Sequence, residues 1–110
     1  MEINVKTLKN VTILELGGRL DASSAQDFRN KLKQFIQDDR LNFVFDLENI
    51  NFLDSSGIGV LVASLRSVNK LNGDIKISNV KDHVRSVIEI TRLHQIFEIF
   101  DNSEIAALSF

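Results

Sequence analysis

The sequence predicts an α/β fold in which a mixed, largely parallel sheet of about four to five strands packs with about four helices. Two patterns indicate this fold. Short apolar stretches typical of strands recur along the chain, and segments with apolar residues at helical spacing separate them. Residues 41–47 form a dense run that is apolar on both faces, which is typical of a strand buried in the middle of a sheet.

The N-terminal part of the chain predicts two paired strands and then a helix. Apolar and β-branched residues alternate with polar ones on both sides of residues 9–10, at Ile3, Val5, Thr7, Val11 and Ile13. Gly17 and Gly18 are expected to break this pattern. Ser23 or Ser24 is expected to cap the first helix. The apolar face of that helix has helical spacing and comprises Ala25, Phe28, Leu32, Phe35 and Ile36.

A second helix is predicted from Ile58, with apolar residues repeating at helical spacing as far as Leu71. Residues 72–73 should end it, because Gly73 adopts a left-handed cap conformation without a Cβ clash. A strand at residues 75–77 follows. Lys76 is expected, with Lys81 and Arg85, on a solvent-exposed face.

The C-terminal third of the chain predicts one more helix, a strand and a short helix. Asp82 is expected to cap the third helix, whose apolar face includes Val84 and Ile88. Residues 96–100 form the last strand candidate. Ser103 is expected to cap a short C-terminal helix.

Composition excludes several classes of function. The 110 residues are 44% apolar and 25% charged, which suits one globular domain over residues 1–110. The net charge is −2 and no basic stripe is present, so nucleic acid is not an expected partner. The chain has no cysteine, and His83 and His94 alone make a poor metal site. The longest apolar run, residues 58–63, is far below the ~20 residues that span a bilayer. A cytoplasmic protein without membrane anchor or cofactor is therefore expected.

The most informative segment lies between the buried strand and the second helix. Asp54 and the small residues up to Gly57 occupy this junction, and partners bind open α/β sheets at the carboxyl ends of strands. The start of a helix presents unpaired N–H groups and the positive end of the helix dipole, which favour an anion. Gly57 and Gly59 permit close approach of a partner. A phosphoserine here should therefore leave the fold intact and act at a partner's surface.

Residues 53–60, LDSSGIGV, resemble the phosphorylation-site motif of bacterial anti-sigma factor antagonists, which belong to the STAS domain family. Residues 18–21, GRLD, followed by Ala25, are similar to that family's first strand-to-helix junction. Residues 72–77 and 93–99 resemble later segments of the family in the same order. The resemblance covers nearly the whole chain. Arg92 departs from it, because many relatives carry glycine at that position.

The resemblance implies a STAS-like domain that acts as an anti-sigma factor antagonist and is not an enzyme. It implies that Ser56 is phosphorylated by the cognate anti-sigma factor, a serine kinase that uses ATP, and that a separate metal-dependent serine phosphatase reverses the step. The unphosphorylated chain would hold the anti-sigma factor and free a sigma factor for transcription. The expected partner-binding residues are Asp21, Asp54, Ser55, Ser56, Gly57, Ile58 and Gly59.

Ordinary structural roles stay open for several of these residues. Asp54, Ser55 and Ser56 are all candidate N-caps of the second helix, a role worth about 1 kcal/mol. Asp21 can cap the first helix, or it can lie near the same surface if both junctions meet at one sheet edge. Phe52 is expected in the core.

Two other functions also stay open. A STAS module in another complex, such as a lipid-transporter subunit or a signalling scaffold, would keep the fold without a phosphorylation cycle. A small hydrolase with Ser56 as nucleophile would need His83 or His94 folded back onto it. No Gly-x-Ser-x-Gly elbow surrounds Ser55 or Ser56, which argues against the hydrolase.

Overall fold

The computed structural model describes all residues, Met1–Phe110, and confirms the predicted fold class. The sheet has five strands, in the order β1-β2-β3-β4-β5. The strands are β1 (Glu2–Leu8), β2 (Val11–Leu20), β3 (Asn42–Leu53), β4 (Asp74–Ser78) and β5 (Ile99–Phe100). The α-helices are α1 (Ala22–Gln37), α2 (Ser55–Asn69), α3 (Asp82–Ile90) and α4 (Ser103–Leu108).

The strands make a mixed sheet whose only antiparallel pair is the N-terminal hairpin of β1 and β2. A two-residue turn at Lys9 and Asn10 joins these strands, and Lys9 has a φ of 54°. The other neighbours, β2 with β3, β3 with β4 and β4 with β5, are parallel. Helices therefore form the connections between them, because parallel neighbours need a crossover.

The core lies between the sheet and helices α1, α2 and α3. It is one cluster of 21 buried side chains, in which the rings of Phe28 and Phe45 pack edge to face with centroids 5.4 Å apart. Helix α4 packs on the other face of the sheet, over a smaller cluster that includes Val11 and Val44. None of the helices combines the length and hydrophobicity needed to cross a bilayer.

Strand β3 is longer than predicted, since it runs on to Leu53 instead of ending at Leu47. Gly17 and Gly18 likewise do not break β2, which continues to Leu20. Two register shifts along the β2–β3 pair place extra residues in β3. Such bulges interrupt strand alternation, and this interruption is why the sequence pattern ended the strand too early.

The N-caps of α3 and α4 and the extent of the last strand also differ from the predictions. Lys81 occupies the N-cap position of α3 and makes no side-chain cap bond, whereas Asp82 lies in the first turn. The side chain of Asn102, not Ser103, caps α4 by accepting a hydrogen bond from the Ile105 N–H. The last strand is only Ile99–Phe100, because a 3₁₀ turn at Leu93–Gln95 precedes it.

In the turn after α2, Asn72 supplies the left-handed backbone conformation and Gly73 permits close packing against Leu41. Asn72 takes the left-handed conformation, with a φ of 66°. The N–H of Gly73 donates to the carbonyl of Val68, 2.8 Å away, and closes the helix. A β-carbon on Gly73 would approach the Leu41 carbonyl oxygen closer than 3.0 Å. Gly73 is therefore required by close packing, and the prediction that it supplies the left-handed residue is wrong.

Lys76 is buried, contrary to the prediction of a solvent-exposed face, whereas Lys81 and Arg85 are exposed as expected. The Lys76 Nζ donates to the carbonyl and hydroxyl oxygens of Ser109, at 3.1 and 2.7 Å. It also lies 4.5 Å from the ring centroid of Phe110. The charge is buried because the C-terminal residues supply its partners.

Candidate functional site

Two strand-to-helix junctions meet at one edge of the sheet. Leu20 and Leu53, the last residues of β2 and β3, are paired in the parallel register. Asp21 and Asp54 follow them directly, as the N-caps of α1 and α2. The strand order therefore brings two carboxylates and two helix N-termini to the same edge.

Asp54 is the N-cap of α2, and neither Ser55 nor Ser56 has this role. Its Oδ1 atom accepts a hydrogen bond of 3.0 Å from the Gly57 N–H. Ser55 and Ser56 are the first two residues of the helix; Ser55 is exposed and Ser56 is half-buried. The hydroxyl groups of both serines are thus left free of the capping role.

The first turn of α2 offers hydrogen-bond donors beside these hydroxyl groups. The N–H groups of Ser55 and Ser56 have no acceptor within the helix, because they precede its first hydrogen-bonded residue. The first turn contains no acidic residue, so only the N-cap carboxylate of Asp54 offsets the positive end of the helix dipole. An anion attached to either serine would lie where the helix favours negative charge.

The residues after the serines differ in how much surface they offer. Gly57 is buried against the end of β2, and a β-carbon there would come closer than 3.0 Å to the Leu20 carbonyl oxygen. Ile58 is half-buried and packs against the main core. Gly59 is exposed, and a β-carbon on it would have no heavy atom within 4 Å. Only Gly59 and part of Ile58 therefore face solvent.

Asp21 caps α1, so Ser23 and Ser24 are not the caps that the sequence pattern predicted. One carboxylate oxygen accepts from the N–H and the hydroxyl group of Ser23, at 3.0 and 2.6 Å. Ser24 completes a capping box by accepting from the Asp21 N–H. The hydrogen bond from Ser23 and then the bond from Arg19 hold the pKa of Asp21 below its usual value.

Arg19 and Phe52 form a cation–aromatic pair that the sequence pattern did not predict. They are partners in the β2–β3 register, and the Arg19 guanidinium lies 3.9 Å from the ring centroid of Phe52. Phe52 is 37% exposed, so its predicted place in the core is wrong. Strand alternation predicts this exposure, because successive side chains of a strand point to opposite faces and the next residue, Leu53, points into the core.

The structure offers little to a serine hydrolase or a metal. His83 is exposed, and its Nε2 atom lies 3.2 Å from the Ile50 carbonyl oxygen rather than on a serine. His94 is exposed too. No group of three or more histidine or acidic side chains is placed to hold a metal ion.

The amino-acid sequence is similar to those of two bacterial proteins over nearly its whole length. The chain is 29% identical over 110 residues to the anti-sigma F factor antagonist of Paenibacillus polymyxa, with 99% of this chain and 93% of the relative covered. It is 27% identical over 107 residues to the anti-sigma-B factor antagonist of Staphylococcus aureus, with 96% and 99% covered.

Solved structures share the fold. A Thermotoga maritima protein superposes with a TM-score of 0.90 at 23% identity, over 97% of this chain and 92% of that protein. The phosphorylated form of Bacillus SpoIIAA superposes with a TM-score of 0.74 at 21% identity, over 98% and 97%. The family model for the STAS domain matches residues 2–106. The chain therefore belongs to the STAS domain family.

Proposed function

We propose that this chain is an anti-sigma factor antagonist, and that phosphorylation of Ser56 controls its binding to an anti-sigma factor. Two relatives that align over almost the full chain are anti-sigma factor antagonists. The observation that carries the proposal is the position of Ser56. It is a partly accessible second residue of α2, and Asp54 already performs the capping role.

A phosphate on Ser56 suits the fold. The positive end of the helix dipole and the free N–H groups of the first turn favour an added anion by about 0.3–1 kcal/mol. The nearby carboxylate of Asp54 opposes it at short range and reduces this gain. Asp54 and Ser56 are both partly exposed, and with a water-like dielectric constant of about 80 a repulsion across about 6 Å costs only about 0.7 kcal/mol per unit charge. The two effects are then similar in size, so phosphorylation of the free chain leaves the free energy of unfolding nearly unchanged.

The phosphate then acts on a docked partner. A unit charge about 6 Å from a partner charge of the same sign, at an effective dielectric constant of about 20, costs about 3 kcal/mol. Phosphoserine carries about −1.5 to −2 charges, and salt screening reduces their effect. A loss of affinity of about a hundredfold follows without any change of fold.

The docking surface in this proposal is the shared edge formed by the two junctions. Its accessible residues are Asp54, Ser55, Ser56, Ile58 and Gly59, together with the exposed pair Arg19 and Phe52. Asp21 and Gly57 are buried, and they position this edge from beneath. Gly59 supports this assignment. A helical glycine costs about 0.5–1 kcal/mol relative to alanine, and no group of the chain occupies the space beside Gly59. The fold itself therefore does not require glycine at this position. A docked partner does gain from it, because the absence of a side chain lets the partner approach the helix backbone closely.

The chemistry of the cycle belongs to the partners in this proposal. The anti-sigma factor is a serine kinase that binds ATP and transfers its γ-phosphoryl group to the Ser56 hydroxyl, and a serine phosphatase hydrolyses the phosphoester. The chain itself is a regulator without catalysis, and it binds neither nucleic acid nor membrane. When unphosphorylated it holds the anti-sigma factor, so a sigma factor in the cytoplasm is free to start transcription.

Phosphorylation is tested with the purified chain, the anti-sigma factor captured by it, and ATP. Intact-mass measurement should show one added phosphoryl group on the original chain and on Ser55→Ala, and none on Ser56→Ala. Addition to Ser56→Ala but not to Ser55→Ala would overturn the residue assignment. Capture of a transporter or scaffold subunit with no anti-sigma factor would favour the alternative STAS module.

The switch is tested with Ser56→Asp and its uncharged match Ser56→Asn. Calorimetric titration with the anti-sigma factor should show a loss of affinity of at least tenfold for Ser56→Asp and a smaller loss for Ser56→Asn. Urea unfolding of both variants should stay within about 1 kcal/mol of the original chain. Equal loss of affinity in both would show that bulk, and not charge, blocks docking.

A further inference from the structure

A groove separates the C-terminal half of α1 from the C-terminal end of α2. It has a volume of about 540 Å³, and its floor is apolar, formed mainly by Leu32, Ile36, Ala63 and Leu71. Leu32 is buried and Ile36 is half-buried, whereas Leu71 is 49% exposed. Much of this floor is therefore hydrophobic surface that no element of the chain covers.

The shape of the groove follows from the two helices that form it. Both helices connect adjacent parallel strands, so they run side by side in the same direction. The groove extends over residues 29–37 of α1 and over residues 63–71, which comprise the end of α2 and the first two residues after it. Each stretch is about two turns, or about 12 Å, long. Two helices that run side by side and expose apolar residues between them form the kind of surface on which a third amphipathic helix packs.

The charges around the groove have one sign. Arg29 and Lys33 line it from α1 and Lys70 lines it from α2, while no acidic side chain lines it. None of these three cations forms an ion pair within the chain. The net charge of the whole chain is −2, so this concentration of positive charge is local. Electrostatic complementarity selects a partner with acidic residues on both sides of an apolar stripe.

We propose that this groove binds an acidic amphipathic helix of a partner protein. Apolar residues at positions i, i+3 or i+4, and i+7 of that helix would cover Ile36 and Leu71. Its glutamate or aspartate residues would face Lys33 on one side and Lys70 on the other.

The groove is a second site, separate from the edge that carries Ser56. Ala63, its nearest residue on α2, is seven residues further along the helix than Ser56, or about 10 Å along the axis. Charges separated by more than about 8–10 Å are largely screened at physiological salt. Binding in the groove is therefore independent of the charge at residue 56, and the two proposals fail or succeed separately.

The test uses a synthetic stapled helix of about three turns that carries leucine along one stripe and glutamate on both sides of it. Titrated into the ¹⁵N-labelled full chain, it should shift the NMR signals around Ile36, Ala63 and Leu71 more than the signals of residues 54–59. A matched peptide with lysine in place of glutamate should bind at least tenfold more weakly. Equal binding of both peptides, or shifts centred on residues 54–59, would overturn the proposal.

A second experiment reverses the charge of the lysines that line the groove and measures binding of the acidic peptide. The double variant Lys33→Glu with Lys70→Glu should weaken binding of the acidic peptide at least tenfold. The matched control is Lys31→Glu, which makes the same change on α1 but lines a different cavity, beside β1; it should change the affinity less than twofold. Ser56→Asp should bind the peptide as the original chain does. Equal losses in the control and the double variant would overturn the proposal.

The same labelled protein also tests two other possible occupants of the groove, an anionic lipid and a second copy of this chain. Oleate that displaces the bound peptide and shifts the same signals at lower concentration would overturn the proposal in favour of an anionic lipid. Sedimentation that shows a dimer abolished by the double charge reversal would overturn it in favour of a second copy of this chain. The proposal is supported if the chain is a monomer that binds the peptide, and if oleate neither displaces the peptide nor shifts the same NMR signals.

Discussion

The first turn of α2 rests directly on the end of β2, because the Cα of Gly57 lies against the carbonyl oxygen of Leu20. A β-carbon on residue 57 would approach that oxygen closer than 3.0 Å and would lie 2.7 Å from the Leu53 Cδ1 atom. A backbone oxygen at the end of a paired strand has little freedom to move. Gly57 therefore sets how closely the helix carrying Ser56 sits on the sheet.

Gly57→Ala should lower the free energy of unfolding by about 2 kcal/mol or more, because the clash involves backbone and cannot be relieved by a rotamer change. Gly59→Ala is the matched control on the same helix. It meets open space and should raise the free energy of unfolding by about 0.5–1 kcal/mol. Urea denaturation measures both. Equal effects of the two variants would contradict the packing role of Gly57.

Asp54→Ala should cost about 1 kcal/mol of the free energy of unfolding, because the Gly57 N–H loses its acceptor. Asp54→Asn keeps a side-chain oxygen in place and should cost less, mainly a share of the interaction with the helix dipole. Asp101→Ala is the control, since Asp101 is exposed and caps no helix; it should stay within about 0.5 kcal/mol. If Asp54→Ala behaves like this control, Ser55 or Ser56 has taken over the cap.

The hydrogen bonds to Asp21 predict a dependence of stability on pH. Its pKa is lowered in the folded chain, first by the hydrogen bond from Ser23 and then by the one from Arg19. The carboxylate therefore stabilises the fold above its ordinary pKa, and this contribution is lost as the pH falls through the folded value. Asp21→Asn should lower stability near pH 7 and flatten its decline as the pH falls below the ordinary aspartate pKa of about 4.

Ser23→Ala provides a direct check on the cause. It removes the hydroxyl donor but leaves the backbone N–H in place, so the pKa of Asp21 should rise towards its ordinary value. Titration of the Asp21 carboxyl carbon by NMR measures this pKa in the original chain and in the variant. An unchanged titration curve would show that Arg19, and not Ser23, supplies the main stabilisation of the carboxylate.

Local patterns in the sequence were sufficient for the fold class and for the place of the candidate site. Apolar spacing located the helices, and the alternation of strands with helices required parallel neighbours. That order alone brings Asp21 and Asp54 to one edge. The end of β3 was missed because Glu48, Asn49 and Asn51 are exposed polar residues in a bulged strand, where alternation is broken.

Long-range contacts account for most of the other differences. Lys76 is buried because Ser109 and Phe110, more than thirty residues away in the chain, enclose its ammonium group. Gly73 is required by the carbonyl of Leu41, again about thirty residues away. The contact between Arg19 and Phe52, unlike the exposure of Phe52 itself, depends on the register of two strands. No local pattern carries this information, since each contact is made by tertiary packing.

Arg92 adopts a conformation that favours glycine, with a φ of 60° at the turn between α3 and the 3₁₀ turn. The left-handed conformation costs a residue with a β-carbon about 1–2 kcal/mol. Glycine avoids this strain, but it raises the conformational entropy of the unfolded chain, which lowers the free energy of unfolding by about 0.4–1 kcal/mol. Arg92→Gly should therefore raise the free energy of unfolding by about 0.5–1 kcal/mol. Arg85→Gly, in the middle of α3, is the matched control and should lower it by about 1 kcal/mol. Urea unfolding measures whether each variant raises or lowers the free energy of unfolding. A loss of stability in Arg92→Gly would mean that contacts of the arginine side chain stabilise the turn by more than its left-handed backbone destabilises it.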